Sequence, residues 1–445
     1  MTFAGVTTNP NTINGMLAQE TADVLARLIR FKTVNPPGNE RECQQWLQRY
    51  LEEAGFAVEL HGAEPERPNL VATLQGDEPG PILGYLSHVD TVLADPDDWT
   101  HDPWSGDVHD GCLWGRGAID MKSQTAAEVV AAATLARSGW RPQKGALKVI
   151  AVVDEETGGR LGAQWLTEQR PDVARVDWLI NEGGGQVMPY GDRRLYGVGC
   201  AEKGTFRFKV TARGVAGHAS VPGTGDNALL KLAPVITRLG ERQPDFDVVE
   251  EPRAFLEALG EDPADPARAV ANVRAIEPRL ALMVEPTLRV TAVPTRVFAS
   301  EKINVIPAKA ELLVDCRVPP GMEGEETMRR IEQLVGDDGV ELTFLEEVVG
   351  NRSPIESPLM DAIRDWLGTS DPGAEAVPTV LPAFTDSRHF RAAFPDCVAY
   401  GFFPQCHQSL YDVWPLMHSN DERIDVRDLA FAAEFFADLP RRMLA

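Results

Sequence analysis

The stretch KVIAVVDEETGG, residues 148–159, decides how the rest of the chain is read. Five apolar residues, Val149 to Val153, run directly into Asp154, Glu155 and Glu156, and Gly158 and Gly159 follow Thr157. An apolar run of this length bounded by glycine predicts a strand buried on both faces. Three adjacent like charges at its end repel one another and hold water. That end is therefore a solvated turn, or a place where something positive is required.

Strand-like runs recur on either side of it, at Leu70–Leu74, Ile82–Ser87 and Trp178–Ile180. Residues 15–31 and 40–54 carry apolar positions at helical spacing, and Met121–Arg137 reads as a helix closed by Gly139. Strands alternating with helices predict an α/β fold with a largely parallel central sheet flanked by helices. Past Gly199 the pattern changes. TFRFKV, Thr205 to Val210, alternates like a half-buried strand. A helix over 227–239, strands over 288–297 and 310–318, a helix over 325–335 and a strand over 340–348 then follow. That order is the one of a small ferredoxin-like α+β unit. It is interrupted by a Pro- and acid-rich insertion at about 241–286. The expected layout is a discontinuous catalytic domain, 1–202 and 352–445, enclosing a smaller domain at 203–351.

The 445-residue chain exceeds what one core usually serves. Its net charge of −24, from 67 acidic against 43 basic residues, argues against nucleic acid and an anionic membrane as partners. Any anionic substrate must then be captured by local positive groups. The six cysteines form no C-x-x-C pair, which predicts free thiols in a reducing compartment. The N-terminal MTFAGVTTNPNTINGML has no basic segment followed by an apolar core, and no run of apolar residues is long enough to span a bilayer. The expected location is cytoplasmic.

In open α/β sheets, ligands bind beyond the carboxyl ends of the strands. Three predicted strands end in metal-ligating residues: ILGYLSHVD in His88 and Asp90, VIAVVDEE in Glu155 and Glu156, and DWLINEGG in Glu182. Asp120 in GRGAIDMK sits where a loop enters a helix, and His418 lies in MHSNDER. His88 and Asp90 share a strand face, which suits a ligand histidine held by a carboxylate close behind it. Each feature alone has a plain reading as a surface residue or helix-terminal charge; their joint occurrence is what points to a metal.

With SHVDTV, DPWSGDVHDGCLWGRGAIDMK, DEETGG, NEGGG, GVAGHAS, INVIPAKAELLVDCR, FTDSR and MHSNDER in this order over about residues 80–425, the sequence resembles a known family. It is similar to the co-catalytic zinc metallopeptidases and amidohydrolases that include aminoacylase, acetylornithine deacetylase, succinyl-diaminopimelate desuccinylase, glutamate carboxypeptidase and carboxypeptidase S. The insertion is the least typical part. The resemblance implies two Zn2+ per subunit bridged by Asp120, with Mn2+ or Co2+ accepted by the same donors. One ion would also be held by His88 and Glu182, the other by Glu156 and His418, with a bridging hydroxide as the attacking group. It further implies a cis Asp120–Met121 peptide, Glu155 as general base and His218 as the group that polarises the scissile carbonyl. Asp90 would complete the catalytic set behind His88. Asn304 and Arg317 would contact substrate, Arg317 through its carboxylate, with Arg388 as a second anion clamp. The alternative for Arg317 is a pair with Asp315 inside its own domain. Lys122 and Arg116 are expected to balance Asp120, and Asp154 to be solvated or capping.

The resulting expectation is a dinuclear zinc hydrolase cleaving an amide or peptide bond of a substrate with a free carboxylate, an N-acyl amino acid or small peptide. The smaller domain would serve as lid and as homodimer interface. The alternatives are a deacylase of a small polar amide, such as a desuccinylase or carbamoyl-amide hydrolase, and a non-catalytic metal-binding scaffold.

Overall fold

The computed structural model describes residues 13–242, 244–337 and 339–445, so most of the N-terminal MTFAGVTTNPNTINGML lies outside the described residues. The chain divides into two compact units: Met1–Cys200, Ser353–Thr379 and Thr385–Ala445 form the first, Ala201–Arg352 and Val380–Phe384 the second. The short piece 380–384 goes with the second unit because Lys203 N–H donates to the Leu381 carbonyl and the Arg317 guanidinium lies 5.7 Å from the Phe384 ring centre.

The first unit is built on a ten-stranded sheet. Its main path runs Ala57–His61, Asn69–Gln75, Lys144–Val152, Glu78–His88, Trp178–Asn181, Val398–Gly401, Arg193–Glu202, Gln186–Tyr190 and Gln405–Ser409. The strand containing Val149 is central and buried from Gly145 onward on both faces, as its unbroken apolar run requires. It lies parallel to the His88 strand, which in turn lies parallel to Trp178–Asn181. Register does the important work: His88 sits opposite Val152, and Tyr85 opposite Ile180. The carboxyl ends of three strands are thereby level, and their terminal side chains share one rim.

Helices cover both faces. On one, Lys122–Arg137 packs with Ile13–Ile29 and Val426–Met443. Its alanine-rich sequence lets neighbours approach closely, and it is buried almost all round rather than along one stripe. Tyr85 anchors this layer, edge-on to Phe436 at 5.0 Å and donating its hydroxyl to the Phe436 carbonyl at 2.7 Å. The opposite face is closed by Ala163–Gln169 and Ser387–Ala393, packed on Leu86, Ile150 and Leu179. A three-stranded sheet pairs Arg423–Asp425 with Cys112–Trp114 and ties the MHSNDER loop to the one carrying Asp120.

In the second unit, Phe208–Arg213, Ala228–Glu241, Thr291–Phe298, Lys309–Val318, Gly324–Val335 and Glu341–Phe344 follow one another as strand, helix, strand, strand, helix, strand. The four strands form an antiparallel sheet in the order fourth, first, third, second. Lys309–Val318 alternates buried and half-exposed residues, with Ala310, Leu312, Val314 and Cys316 on the helix-covered face. The insertion is helical: Glu250–Ala258, Pro266–Ile276 and Pro278–Val284. Its abundance of acid and proline is helix-start chemistry. Asp265 and Glu277 each cap a helix that opens with proline, a residue whose missing N–H is not needed there.

One polar group in the first unit's core carries a stability signature. Glu128, on Lys122–Arg137, is fully buried and accepts from Gln124 Nε2 at 2.8 Å. Burial pushes its carboxyl up to about 8, against the Gln124 hydrogen bond that lowers it. The folded-state value therefore lies above the unfolded one, and the neutral acid is the form that stabilises. That contribution is complete below about 4.5 and is lost as pH rises toward about 8. Glu128→Gln should match wild type in thermal midpoint near pH 5 and exceed it by about 2–4 °C or more near pH 8. An offset that does not change with pH would contradict this protonation state.

Candidate metal centre

The level strand ends and two loops bring together six of the side chains marked in the sequence. Asp120 stands in the middle. Its Oδ1 lies 3.0 Å from His88 Nε2, and its Oδ2 lies 3.1 Å from His418 Nε2. His418 Nε2 is also 3.2 Å from Glu156 Oε2. His88 Nε2 is 4.0 Å from both Glu155 Oε2 and Glu182 Oε1. The two oxygens of one carboxylate thus face two imidazoles that come from opposite ends of the sequence. The Asp120–Met121 peptide is cis.

Each imidazole is oriented. His88 Nδ1 donates to the Asp90 carbonyl at 3.0 Å, which turns Nε2 toward the cluster. The Asp90 carboxylate contacts the same Nδ1 only at 3.5 Å. Its stronger bonds hold the neighbouring turn: Oδ1 accepts from the Glu155 N–H at 3.3 Å, and Oδ2 from the Glu156 N–H at 3.2 Å. Asp90 is therefore a turn organiser first and a histidine partner second. Glu422 plays the matching part on the other side. Fully buried, it accepts from the Gly117, Ile119 and Asp120 N–H groups at 3.1, 2.6 and 2.9 Å and pairs with Arg116 at 2.7 Å. Arg116 also donates to the Leu93 and Ser419 carbonyls at 3.3 and 3.0 Å, fastening the His418 loop.

Three expectations need correction. Lys122 does not balance Asp120: its ammonium donates to the Leu28 carbonyl at 2.9 Å. Arg116 reaches the site through Glu422 rather than through Asp120. Asp154 is not solvated but 5% exposed, because the Arg67 guanidinium, 3.1 Å from its Oδ1, supplies the cation that burial requires.

The electrostatics describe a cluster built for cations. Burial, then repulsion from Glu182, raises the Glu155 carboxyl well above the usual range. Burial, then Asp120, does the same for Glu182 and, less strongly, for Glu156. Asp120 goes the other way: burial opposes its charge, but hydrogen bonds from His418 and His88 hold it below the carboxylate range. Bonds to Asp120 and Glu156 push His418 up to about 10. Among the described residues, no lysine or arginine pairs with Asp120, Glu155, Glu156 or Glu182. A buried acidic cluster without basic side chains draws protons, and for the same reason it draws divalent ions. The donor chemistry fits: the sets His88, Asp120, Glu156 and His88, Glu155, Glu182 each offer one ligand atom within 4.8 Å of the others. Imidazole with carboxylate is a shell that zinc accepts.

His218 and Asn304 meet in the second unit, where Gly217–His218 pairs with Val305–Ile306 and the Ala219 N–H donates to the Asn304 carbonyl at 3.0 Å. Both are exposed, and His218 Nδ1 lies 2.7 Å from Ser220 Oγ. Arg317 is partly committed inside its own unit, donating Nε to Asp315 at 3.0 Å and Nη1 to Thr205 Oγ1 at 3.0 Å. Its Nη2 has no hydrogen-bond partner among the described residues. Arg388 donates Nη2 to the Gly158 carbonyl at 3.1 Å and Nε to His389 at 3.2 Å. Sequence reasoning passed over Glu422 and Asp386, although both lie inside quoted motifs. Asp386 is buried beside the Gly158–Gly159 turn, where a Cβ on Gly159 would come within 2.6 Å of its Oδ1, and its charge further raises Glu155 and Glu182. An acidic residue in a segment otherwise marked for one basic residue was the available signal.

Comparison with known proteins agrees with this geometry. The family model described as "Peptidase family M20/M25/M40" matches residues 84–442. "Probable carboxypeptidase S-like 2" of Dictyostelium discoideum is 27% identical over 451 residues, covering 94% of this chain and 84% of that protein. "Succinyl-diaminopimelate desuccinylase" of Cereibacter sphaeroides is 27% identical over 420 residues, covering 91% of this chain and 93% of that protein. Among solved structures, an M20 family metallo-carboxypeptidase from Sulfolobus solfataricus shares the fold with a TM-score of 0.71 at 16% identity, covering 95% of this chain and 98% of its own.

Proposed function

The chain belongs to peptidase family M20/M25/M40, metal-dependent hydrolases of amide and peptide bonds, and on that premise we propose that it is a two-metal amidohydrolase. Its substrate class would be a small molecule or peptide whose scissile bond lies near a free carboxylate: an N-acyl amino acid or a dipeptide. The observation that carries the reading is the shared Asp120 carboxylate, with one oxygen toward His88 and the other toward His418. Asp120, His88 and Glu182 would hold one ion, and Asp120, Glu156 and His418 the second, zinc first and manganese or cobalt as substitutes. When bound, such ions polarise the scissile carbonyl and acidify water.

The rest is the work of the chain. Glu155, beside Glu156 on the same turn, takes a proton from the attacking water and delivers it to the leaving nitrogen. His218 donates to the carbonyl oxygen as negative charge develops there, with Asn304 next to it on the paired ribbon. The Arg317 Nη2 donors bind the substrate carboxylate, while Asp315 and Thr205 hold the guanidinium still. Arg388, which donates to the Gly158 carbonyl and to His389, also holds the turn.

The His218–Asn304 ribbon adjoins the Lys309 end of strand Lys309–Val318, and Arg317 is at the other end. Eight residue steps separate those ends, about 26 Å. One small substrate does not bridge that span within a single lid unit, which supports a homodimer in which the partner contributes His218. The edge strand Thr291–Phe298 suits the contact: among the described residues it pairs on one side only, and Val293, Val297 and Phe298 are 54%, 46% and 44% exposed. Free thiols at all six cysteines support work in the cytoplasm. A desuccinylase reading is favoured by the Cereibacter sphaeroides relative and keeps the same machinery with a different acyl group.

A panel of N-acyl amino acids, dipeptides and a succinylated diamino acid, assayed with zinc, manganese and cobalt, tests the reading. Turnover of at least one member is expected, and none with any metal would overturn it. Glu155→Gln should retain metal content and KM yet lose about 10^3-fold in kcat; retained turnover would remove Glu155 from its role. Arg317→Ala should raise KM for carboxylate substrates about 10–100-fold, from loss of a charge-assisted bond, and an unchanged KM would contradict the clamp. Phe298→Asp should convert a dimer to a monomer in light scattering, and a wild type that is already monomeric would sink the dimer.

A further inference from the structure

A chain of buried polar groups runs from the Glu155–Glu156 turn through Asp154 and Arg67 to Glu40. Asp154 carries a left-handed backbone, φ +70°, and its carboxylate is filled from several sides. Oδ1 accepts from Thr157 Oγ1 at 2.6 Å, Arg67 Nη1 at 3.1 Å and Asn35 Nδ2 at 3.3 Å; Oδ2 accepts from the Leu161 N–H at 3.0 Å. The same Asn35 amide donates to Asp90 Oδ2 at 2.8 Å, and Asp90 holds the Glu155 and Glu156 N–H groups. At its other edge the Arg67 guanidinium forks onto Glu40, Nε to Oε2 at 3.0 Å and Nη2 to Oε1 at 2.8 Å. Glu40 is fully buried, and Arg67 and Asp154 nearly so. The fork passes over Gly38, where a Cβ would fall 2.2 Å from Arg67 Nε, so only glycine leaves room for it.

We infer that Arg67 is a positioning residue of the metal centre. Anchored on Glu40, it holds Asp154, and through Asp154 it fixes the turn from which Glu155 and Glu156 project. The inference rests on the roles proposed for those two glutamates. A planar, permanently charged fork suits a fixed two-sided bridge better than a flexible ammonium would. The competing possibility is that Arg67 merely neutralises Glu40. Removing both charges together separates the two: a mere counterion becomes dispensable once Glu40 is neutral, whereas a positioning residue does not.

The test uses the full chain in three forms beside wild type: Arg67→Met/Glu40→Gln, Asp154→Asn, and the triple variant combining them. Positioning predicts that the double variant, folded but less stable because the buried Asp154 charge loses its cation, binds Zn2+ about 10–100-fold more weakly in competition with a chelator. With a turned-over substrate, kcat falls by a similar factor while KM stays within about twofold. Asp154→Asn reproduces these losses, and the triple variant adds no more than about twofold, because both changes cut one linkage. Wild-type Zn2+ affinity in the double variant would show that Arg67 only balances charge, and fully additive losses would separate Arg67 from Asp154. Either result overturns the inference. Should the double variant fail to fold, Asp154→Asn with unchanged Zn2+ affinity still overturns it. If the wild-type protein cleaves no substrate, the functional reading fails alone, since Zn2+ affinity is read without turnover.

Discussion

The structure turns on an imbalance of charge. Four carboxylates, Asp120, Glu155, Glu156 and Glu182, share a recess with two imidazoles and no lysine or arginine partner among the described residues. Burying one unpaired carboxylate is costly, and burying several together is untenable without compensation. Protons or divalent cations are the available compensation, and the shared Asp120 carboxylate determines the geometry on which they would be received. The surrounding architecture serves to keep these acids close despite their repulsion.

It does so with backbone and second-rank side chains. The parallel strands fix His88 and the Glu155–Glu156 turn at one level, because neighbouring residues in register leave little freedom along the strand. Two fully buried acids then act as clasps. Asp90 gathers the N–H groups of the Glu155–Glu156 turn, and Glu422 gathers those of the Asp120 loop. Backbone N–H groups carry these buried acids, with a guanidinium added at Glu422 alone, so the clasps add order without neutralising the cluster. Where guanidinium is used, at Arg116 and Arg67, it pairs with Glu422 and Glu40 and stays off the metal-facing carboxylates.

Much of this was legible in the sequence, for physical reasons. A strand buried on both faces needs an unbroken apolar run, and a run ending in carboxylates marks its carboxyl rim, so the α/β sheet and its functional edge follow from KVIAVVDEE. The ferredoxin-like order of the second unit follows from the change to alternating polarity at TFRFKV. What escaped depends on partners distant in the chain. Asp154 looks solvated when read locally, because its cation, Arg67, is 87 residues away. Lys122 looks like a counterion by adjacency, yet the start of its helix turns it toward Leu28. The helices of the insertion were hidden because Pro and acid suggest irregular chain unless they are read as starts and caps. The pairing of Arg317 with Asp315 was foreseeable, since residues two apart on a strand share a face.

The two-metal reading stands or falls on whether one carboxylate, Asp120, bridges two cations held by the rest of the recess. Counting metal ions per chain by native mass spectrometry, after zinc loading and removal of excess, decides this when wild type is set beside Asp120→Ala. Bridging predicts two ions per folded wild-type chain and the loss of both at the same free-zinc concentration in the variant. A wild type that takes up no more than one ion, or an Asp120→Ala chain that still holds two, would refute it.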